Sequence, residues 1–249
     1  MSIEALIFDV DGTLADTEEA HRVAFNEAFR KHRLPWDWSR EDYRELLKTT
    51  GGKERMSAYI DGLGLRGSER AWLVELIPAL HAEKTRLYTT FVAEGGVPLR
   101  PGVEALLDDA EAAGCRLAIA STTSAANIDA LLAATLGPRG LDRFAVIACG
   151  DQVRRKKPAP DIYKLALANL GLEAERAIAV EDSANGLRSA QAAGLWTVVT
   201  PTFWSEGSDL SAAELLRPSL EGLGFEALAA QAAPPPPPGL IRTMLEGRR

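Results

Sequence analysis

The chain opens on a short apolar run that ends abruptly in acidic residues. Ala5 to Phe8 are all apolar, and Asp9, Asp11 and Gly12 follow them. A run of this length bounded by polar residues predicts a buried β-strand. Side chains two apart on a strand point to the same side, so Asp9 and Asp11 are expected to face one small volume. That volume lies at the carboxyl end of the strand, the usual position of a ligand in an open α/β sheet.

A helical pattern replaces the strand pattern in residues 15–94. The spacing of apolar residues predicts helices at about 16–30, 40–47, 53–63 and 68–92. Asp16 and Glu19 resemble a capping box that opens the first of them. Because helix follows, the alternative that Asp11 and Gly12 close a β-hairpin is disfavoured. The block predicts a helical cap inserted into a second domain, with Gly95 and Gly96 as the return hinge.

From Arg100 onward, predicted strands and helices alternate. Strands are predicted at 117–120, 144–148, 177–180 and 196–200, and helices at about 101–114, 125–135, 160–170 and up to 194. This order predicts an α/β fold in which helices cover a parallel sheet of at least four strands. The predicted domains are a core of residues 1–14 and 95–233, a cap of 15–94 and a tail of 234–249. Five consecutive prolines open the tail and favour an extended spacer.

The composition limits the classes of function. A net charge of -7 and an isoelectric point near 5.2 argue against a nucleic-acid or anionic-membrane partner. No apolar run approaches the roughly 18 residues of a membrane-spanning helix. Cys115 and Cys149 lie among apolar residues, which predicts buried thiols. The start of the chain has no targeting pattern, so we expect a cytoplasmic monomer, or a stromal plastid protein after removal of a transit peptide.

Polar residues follow three of the predicted strands and one basic loop. If these segments converge, the resulting pocket contains Asp9, Asp11, Thr13, Ser121, Thr122, Lys157, Glu181 and Asp182. Asp9, Glu181 and Asp182 would supply the carboxylate oxygens that Mg²⁺ prefers. Lys157 would add a fixed cation and Ser121 a hydroxyl donor. Such a set can neutralise a phosphoryl group during its transfer.

The two acids of the first loop have different expected roles. Asp9 is the predicted nucleophile, which gives an aspartyl-phosphate intermediate. Asp11 is the predicted general acid and then base, so we expect surroundings that disfavour its charge. Each remaining feature alone has a simpler explanation. Ser121 could be a helix cap, the pair Glu181 and Asp182 could cap the next helix, and Lys157 could belong to a solvated basic run. Their common position at one sheet edge favours phosphoryl transfer.

These motifs resemble the four signatures of the haloacid dehalogenase superfamily in order and spacing, namely Asp9-Val10-Asp11-Gly12-Thr13, Ser121-Thr122, Lys157-Pro158 and Glu181-Asp182. The likeness covers about residues 1–225. It implies a Rossmann-like core, an inserted cap, dependence on Mg²⁺ and the roles given above. It also implies that Asp11 offers the metal its backbone carbonyl. Finally, it implies that Lys157, rather than Lys156, binds the phosphate.

Three further segments resemble the CbbY type within this superfamily, namely 17–21, 43–55 and 156–163. Proteins of this type are phosphatases of xylulose 1,5-bisphosphate, a small sugar phosphate that inhibits Rubisco in the Calvin cycle. A bisphosphate needs a second anion site far from the metal. The implied candidates on the cap are Arg44, Gly52, Lys53 and Arg55, with Glu18 and His21 for sugar hydroxyls. The competing explanation is that these are ordinary charges on amphipathic helices.

Other functions remain open at this point. A β-phosphoglucomutase-like isomerase would form the same aspartyl-phosphate but return the phosphoryl group to a sugar, which requires better exclusion of water. A phosphoglycolate-type phosphatase would use the same core with another substrate. A non-catalytic binding protein is disfavoured because every catalytic position is present.

Overall fold

A six-stranded parallel sheet lies at the centre of the computed structural model, which describes residues 2–232. Its strands in chain order are β1 (Ala5–Phe8), β2 (Arg116–Ala120), β3 (Phe144–Ala148), β4 (Ala177–Glu181), β5 (Trp196–Val199) and β6 (Leu215–Leu216). The spatial order is β3-β2-β1-β4-β5-β6, and every neighbouring pair is parallel. The predicted Rossmann-like α/β fold is therefore confirmed. The two-residue strand β6 was not predicted because it is too short to carry a pattern.

Four helices follow β1 directly and form one group in the chain, whereas a fifth helix leads into β2 and the other described helices lie between or after the later strands. The first group is α1 (Glu18–Lys31), α2 (Arg40–Leu46), α3 (Gly52–Gly62) and α4 (Gly67–Ala93). The second is α5 (Val103–Ala112), α6 (Ala125–Leu136), α7 (Asp161–Leu170), α8 (Ala184–Ala192) and α9 (Phe225–Ala232). We call residues 15–94 the helical insertion. The predicted tail at 234–249 lies outside the described residues.

Strand β1 is buried on both faces. Leu6 and Phe8 pack into one hydrophobic cluster, whereas Ala5 and Ile7 pack into another on the opposite face of the sheet. This explains why the strand reads as an unbroken apolar run. Since β1 lies between β2 and β4, residues after all three strands meet at the same edge of the sheet. The fold thus creates the pocket that the motifs require.

The start of helix α1 differs from its prediction. The cap residue is Thr17, no side chain of residues 2–232 caps the helix, and the expected capping box of Asp16 and Glu19 is absent. The Thr17 hydroxyl instead donates to Asp11 Oδ1 at 2.6 Å. The Glu19 carboxylate accepts hydrogen bonds from Arg22. The prediction was wrong because the cap position falls on Thr17 instead of Asp16, and because Glu19 pairs with Arg22 of the same helix.

The helical insertion has its own aromatic core and two short connections to the sheet. Its buried cluster includes Phe25, Phe29, Trp36, Trp38 and Tyr43. Ala15 and Leu99 form an isolated antiparallel bridge that joins the two connections.

Both cysteines are buried free thiols, as predicted. Within residues 2–232, no helix has the length and apolarity required to cross a membrane.

Candidate active site

Three buried carboxylates meet at the carboxyl edge of the sheet. One oxygen each from Asp9, Glu181 and Asp182 lie within 4.8 Å of one another. Lys157 Nζ donates to Asp9 Oδ1 and to Glu181 Oε1, both at 2.6 Å. The Tyr163 hydroxyl also donates to Glu181 Oε1 at 2.6 Å. Three of the four predicted motifs therefore converge on one small volume.

The charges in this cluster do not balance, because one ammonium group faces three acids. Burial raises the pKa of Asp9 to about 7, although Lys157 opposes this change. Burial, followed by repulsion from Asp9 and Glu181, raises the pKa of Asp182 well above its usual range. A divalent cation with oxygen preference would relieve this repulsion. The donor set of Asp9, Glu181 and Asp182 therefore fits such a metal ion.

Two glycines allow the acids to approach the backbone closely. Gly12 has φ of +83°, and a Cβ there would overlap the carboxylate of Asp182. A Cβ at Gly186, the third residue of α8, would overlap the carboxylate of Glu181. Gly12 was recognised from its motif. Gly186 was missed because a single glycine near the start of a helix carries no distinctive pattern.

Asp11 lies beside this cluster, but its carboxylate faces the helical insertion. Oδ1 accepts hydrogen bonds from the Thr17 hydroxyl at 2.6 Å and from His21 Nε2 at 2.9 Å. Burial acts to raise the pKa of Asp11, but its interactions with His21 and the bond from Thr17 outweigh burial and hold the pKa well below its usual range. The expectation that its surroundings disfavour the charge is wrong for this arrangement.

A buried lysine of α4 extends this network. Lys84 Nζ lies 2.7 Å from His21 Nδ1, and the ring of Tyr88 stacks on His21 at 4.0 Å between centroids. An ammonium group can only donate, so Nδ1 accepts and Nε2 carries the hydrogen that points to Asp11. Burial lowers the pKa of Lys84 to about 8. One feature of the sequence could have indicated this role. Lys84 lies four residues from both Leu80 and Tyr88, so it is a charged residue on the buried face of α4.

The hydroxyl motif and the basic loop border the carboxylate cluster. Ser121 is buried and Thr122 is partly buried, and both line the same cavity as Asp9. Ser121 Oγ accepts a hydrogen bond from the Thr123 amide at 3.3 Å. Lys156 takes a different direction from Lys157, because its ammonium group donates to the backbone carbonyls of Gly150 and Val153.

A cavity of about 990 Å³ extends from the carboxylates to the helical insertion. All six residues proposed to bind substrate line it, namely Glu18, His21, Arg44, Gly52, Lys53 and Arg55. They differ in their freedom to bind a ligand. Among the described residues, no carboxylate pairs with the buried guanidinium of Arg55, which donates to the Tyr43 hydroxyl at 2.8 Å. The guanidinium of Arg44 instead donates to the backbone carbonyl of Glu206.

The remaining candidates have distinct surroundings. Lys53 is half exposed and lies 4.0 Å from Asp151. Glu18 Oε2 accepts the hydroxyl hydrogen of Tyr43 at 2.9 Å. A Cβ on Gly52 would lie 3.0 Å from the ring of His81, a cavity residue that was not predicted. Burial, followed by repulsion from Lys84, lowers the pKa of His81 to about 4, so its ring is neutral near pH 7.

Comparison with known proteins identifies relatives of this chain. A family model described as haloacid dehalogenase-like hydrolase matches residues 3–194. Protein CbbY of Rhodobacter capsulatus is 52% identical over 228 residues, which are 92% of this chain and 98% of that protein. The crystal structure of a CbbY mutant from Rhodobacter sphaeroides in complex with xylulose-(1,5)bisphosphate has a TM-score of 0.85 and 47% identity, covering 91% of this chain and 99% of that one.

A more distant structure shows how far the fold extends. β-Phosphoglucomutase from Clostridium difficile has a TM-score of 0.70 at 22% identity, covering 92% of this chain and 97% of that one, so it shares the fold. The resemblance found in the sequence motifs is confirmed by the family match and by the two CbbY proteins. The chain therefore belongs to the haloacid dehalogenase-like hydrolases and is a phosphatase of the CbbY group.

Proposed function

We propose that this phosphatase hydrolyses a small sugar bisphosphate, xylulose 1,5-bisphosphate, with Mg²⁺ and through an aspartyl-phosphate on Asp9. One observation carries the proposal. The cavity has Lys157 and three acids at one end, and Arg55, a buried guanidinium with no carboxylate partner in the described residues, among its insertion residues. A substrate with two phosphates can use both. The bisphosphate named in the structure of the Rhodobacter sphaeroides relative supports this choice.

In the first step Asp9 attacks phosphorus while the alcohol oxygen leaves. Lys157 Nζ holds Asp9 Oδ1 at 2.6 Å, which fixes the carboxylate and offers positive charge to the phosphoryl oxygens. Ser121 and Thr122 add donors from the neighbouring strand end. Mg²⁺, held by Asp9, Glu181 and Asp182 and by the carbonyl of Asp11, would supply the remaining charge neutralisation. Positioning by these fixed groups is the main catalytic contribution that we expect.

Asp11 carries the proton in both steps. It protonates the leaving oxygen in the first step and takes a proton from the attacking water in the second. The hydrogen bonds from Thr17 and His21 stabilise its ionised form, which is the base of the second step. A protonated Asp11 gains less from these bonds. We therefore expect its acid step to occur with the carboxyl group turned away from His21.

The second phosphate is assigned to the helical insertion. Arg55 is the main candidate because its guanidinium is already desolvated and planar, which suits bidentate binding of a phosphate. Lys53 is half exposed, so its contribution should be smaller. Glu18, held by the Tyr43 hydroxyl, and His21 are assigned to the hydroxyl groups between the two phosphates.

A substrate panel tests this proposal. Purified protein is assayed for phosphate release from xylulose 1,5-bisphosphate, glucose 1-phosphate and phosphoglycolate, with Mg²⁺ and with EDTA. We expect the bisphosphate to have by far the highest kcat/KM, and EDTA to abolish turnover. Conversion of β-glucose 1-phosphate to glucose 6-phosphate without release of phosphate would instead support the mutase. Equal rates on all three substrates would contradict the assigned substrate.

A further inference from the structure

A tryptophan of the sheet domain is buried in the core of the helical insertion. Trp204 lies in the short turn Phe203–Ser205 that follows β5. Its side chain is only 7% exposed, belongs to the same buried cluster as Trp38 and packs against Tyr43. It is the one described member of this cluster that comes from outside the insertion. The helical insertion and the sheet therefore share a buried contact at Trp204, which is distant in sequence from the two ends of the insertion.

The partner of Trp204 is a residue that orients the cavity. The rings of Trp204 and Tyr43 meet edge to face, with centroids 5.7 Å apart and planes at 89°. The Tyr43 hydroxyl donates to Glu18 Oε2 at 2.9 Å and accepts from Arg55 Nη1 at 2.8 Å. One fully buried tyrosine thus holds both a candidate hydroxyl ligand and the candidate phosphate ligand.

The other side of the Trp204 turn is fixed to the segment of residues 9–14 that follows β1, which we call the catalytic loop. Arg100 donates to the backbone carbonyls of Thr200 and Pro201, at 2.7 and 3.2 Å, and also to the carbonyl of Gly12. Thr202 Oγ1 then accepts the amide hydrogen of Trp204 at 3.2 Å. A continuous set of hydrogen bonds and packed rings therefore joins the catalytic loop to Tyr43.

Neighbouring contacts join the same two surfaces. The Arg44 guanidinium lies 5.3 Å from the centre of the Phe203 ring and donates to the carbonyl of Glu206. Asn185, beside the metal-ligand motif, donates to the carbonyl of Lys48 at 3.1 Å. These contacts occur only when the insertion lies against the sheet, so Trp204 belongs to the docked arrangement.

We infer that Trp204 is a positioning residue for substrate recognition: its docking against Tyr43 fixes Arg55 and Glu18 in the orientation that selects a bisphosphate. This inference rests on the proposed function, because Arg55 is assigned there to the second phosphate. An edge-to-face aromatic pair has a defined geometry that an aliphatic contact lacks. Selection of substrate would then depend on a residue that itself contacts neither phosphate.

Kinetics on two substrates test this role. Trp204→Ala, Trp204→Phe and Tyr43→Phe are compared with wild type on xylulose 1,5-bisphosphate and on p-nitrophenyl phosphate, which has no second phosphate. We expect Trp204→Ala to lower the ratio of the two kcat/KM values by about tenfold or more, mainly through KM of the bisphosphate. Tyr43→Phe should lower the ratio similarly because it lacks only the hydroxyl. Trp204→Phe should retain most of it, since an aromatic edge remains.

A matched control and a double mutant make the result decisive. Trp72→Ala removes an indole of the same insertion that is 54% exposed and does not line the cavity. The ratio of the two kcat/KM values for this variant should therefore equal that of wild type. In an Arg55→Ala background, Trp204→Ala should have little further effect on the ratio. Equal loss on both substrates, or additive effects of Trp204→Ala and Arg55→Ala, would overturn the inference.

The proposed function can fail separately. A wild-type enzyme that does not prefer the bisphosphate would contradict the substrate assignment alone. The link from Trp204 to Arg55 can still be tested without substrate. The free energy of unfolding is measured for wild type, Trp204→Ala, Arg55→Ala and the double mutant. Coupling in that cycle would support the link, and additivity would overturn it.

Discussion

Lys84 Nζ lies 2.7 Å from His21 Nδ1, so a lysine buried in α4 holds the histidine that contacts Asp11. Lys84→Met should keep the length of the side chain but release the imidazole and remove a nearby positive charge. We expect kcat to fall by about tenfold or more, because proton transfer by Asp11 loses its orientation. Steady-state kinetics against pH measure this effect.

The pH profile separates this role from simple packing. Lys84 contributes to the low pKa of Asp11, so Lys84→Met should raise that pKa and shift the acidic limb of the kcat profile to higher pH. Lys31→Met is the control, because Lys31 is an exposed lysine of α1 that pairs with Glu83. A Lys84→Met enzyme with an unchanged profile and kcat would refute this account of the network.

Removal of one acid from the carboxylate cluster should have opposite effects with and without metal. Without metal, Asp182→Asn should raise the melting temperature, because it relieves repulsion among three buried carboxylates. With Mg²⁺, wild type should gain stability by binding the ion, whereas Asp182→Asn should gain little. Thermal melts in EDTA and in excess Mg²⁺ measure both effects. Equal shifts by Mg²⁺ in the two proteins would exclude Asp182 as a ligand.

The burial of His81 should make stability depend on pH. The pKa of His81 falls from 6.5 to about 4 on folding. The unfolded chain therefore binds a proton at pH values where the folded protein does not, and the free energy of unfolding decreases as the pH drops from 6.5 to 4. Fully expressed, this difference amounts to about 3 kcal/mol. Below about pH 4 this loss of stability is complete, and above pH 6.5 His81 is neutral in both states and contributes no pH dependence.

Other groups titrate in the same range, so the comparison uses a variant. His81→Gln cannot bind the proton, and we expect its urea unfolding free energy to decrease less steeply between pH 6.5 and pH 4 than that of wild type. The two curves should diverge most near pH 4. Parallel curves for wild type and His81→Gln would show that His81 does not titrate with folding.

The sequence predicts the sheet and the carboxylate side of the site well, for a physical reason. Strands that are buried on both faces consist of consecutive apolar residues, and parallel strands bring their last residues to one edge of the sheet. Asp9, Lys157 and Asp182 therefore come together from chain order alone. Three of these motif segments meet at short distances in the structure.

The insertion side could not be predicted to the same degree. Trp204, His81 and Lys84 acquire their contacts only when separate helices and turns pack together, and no local pattern records that packing. Arg44 illustrates the same limit, because the sequence gives it a charge but not the carbonyl of Glu206 that binds it. The capping box predicted for Asp16 fails for a local reason, because the cap position falls on Thr17 and Glu19 pairs with Arg22.

The most direct measurement concerns the bond between Asp9 and phosphorus. Wild type turning over xylulose 1,5-bisphosphate with Mg²⁺ is quenched in acid and examined by mass spectrometry, with Asp9→Asn as the matched control. We expect wild type to gain the mass of one phosphoryl group on the peptide that contains Asp9, and the folded Asp9→Asn protein to show neither adduct nor turnover. Turnover by Asp9→Asn, or an adduct on another residue, would contradict the assignment of Asp9 as the nucleophile.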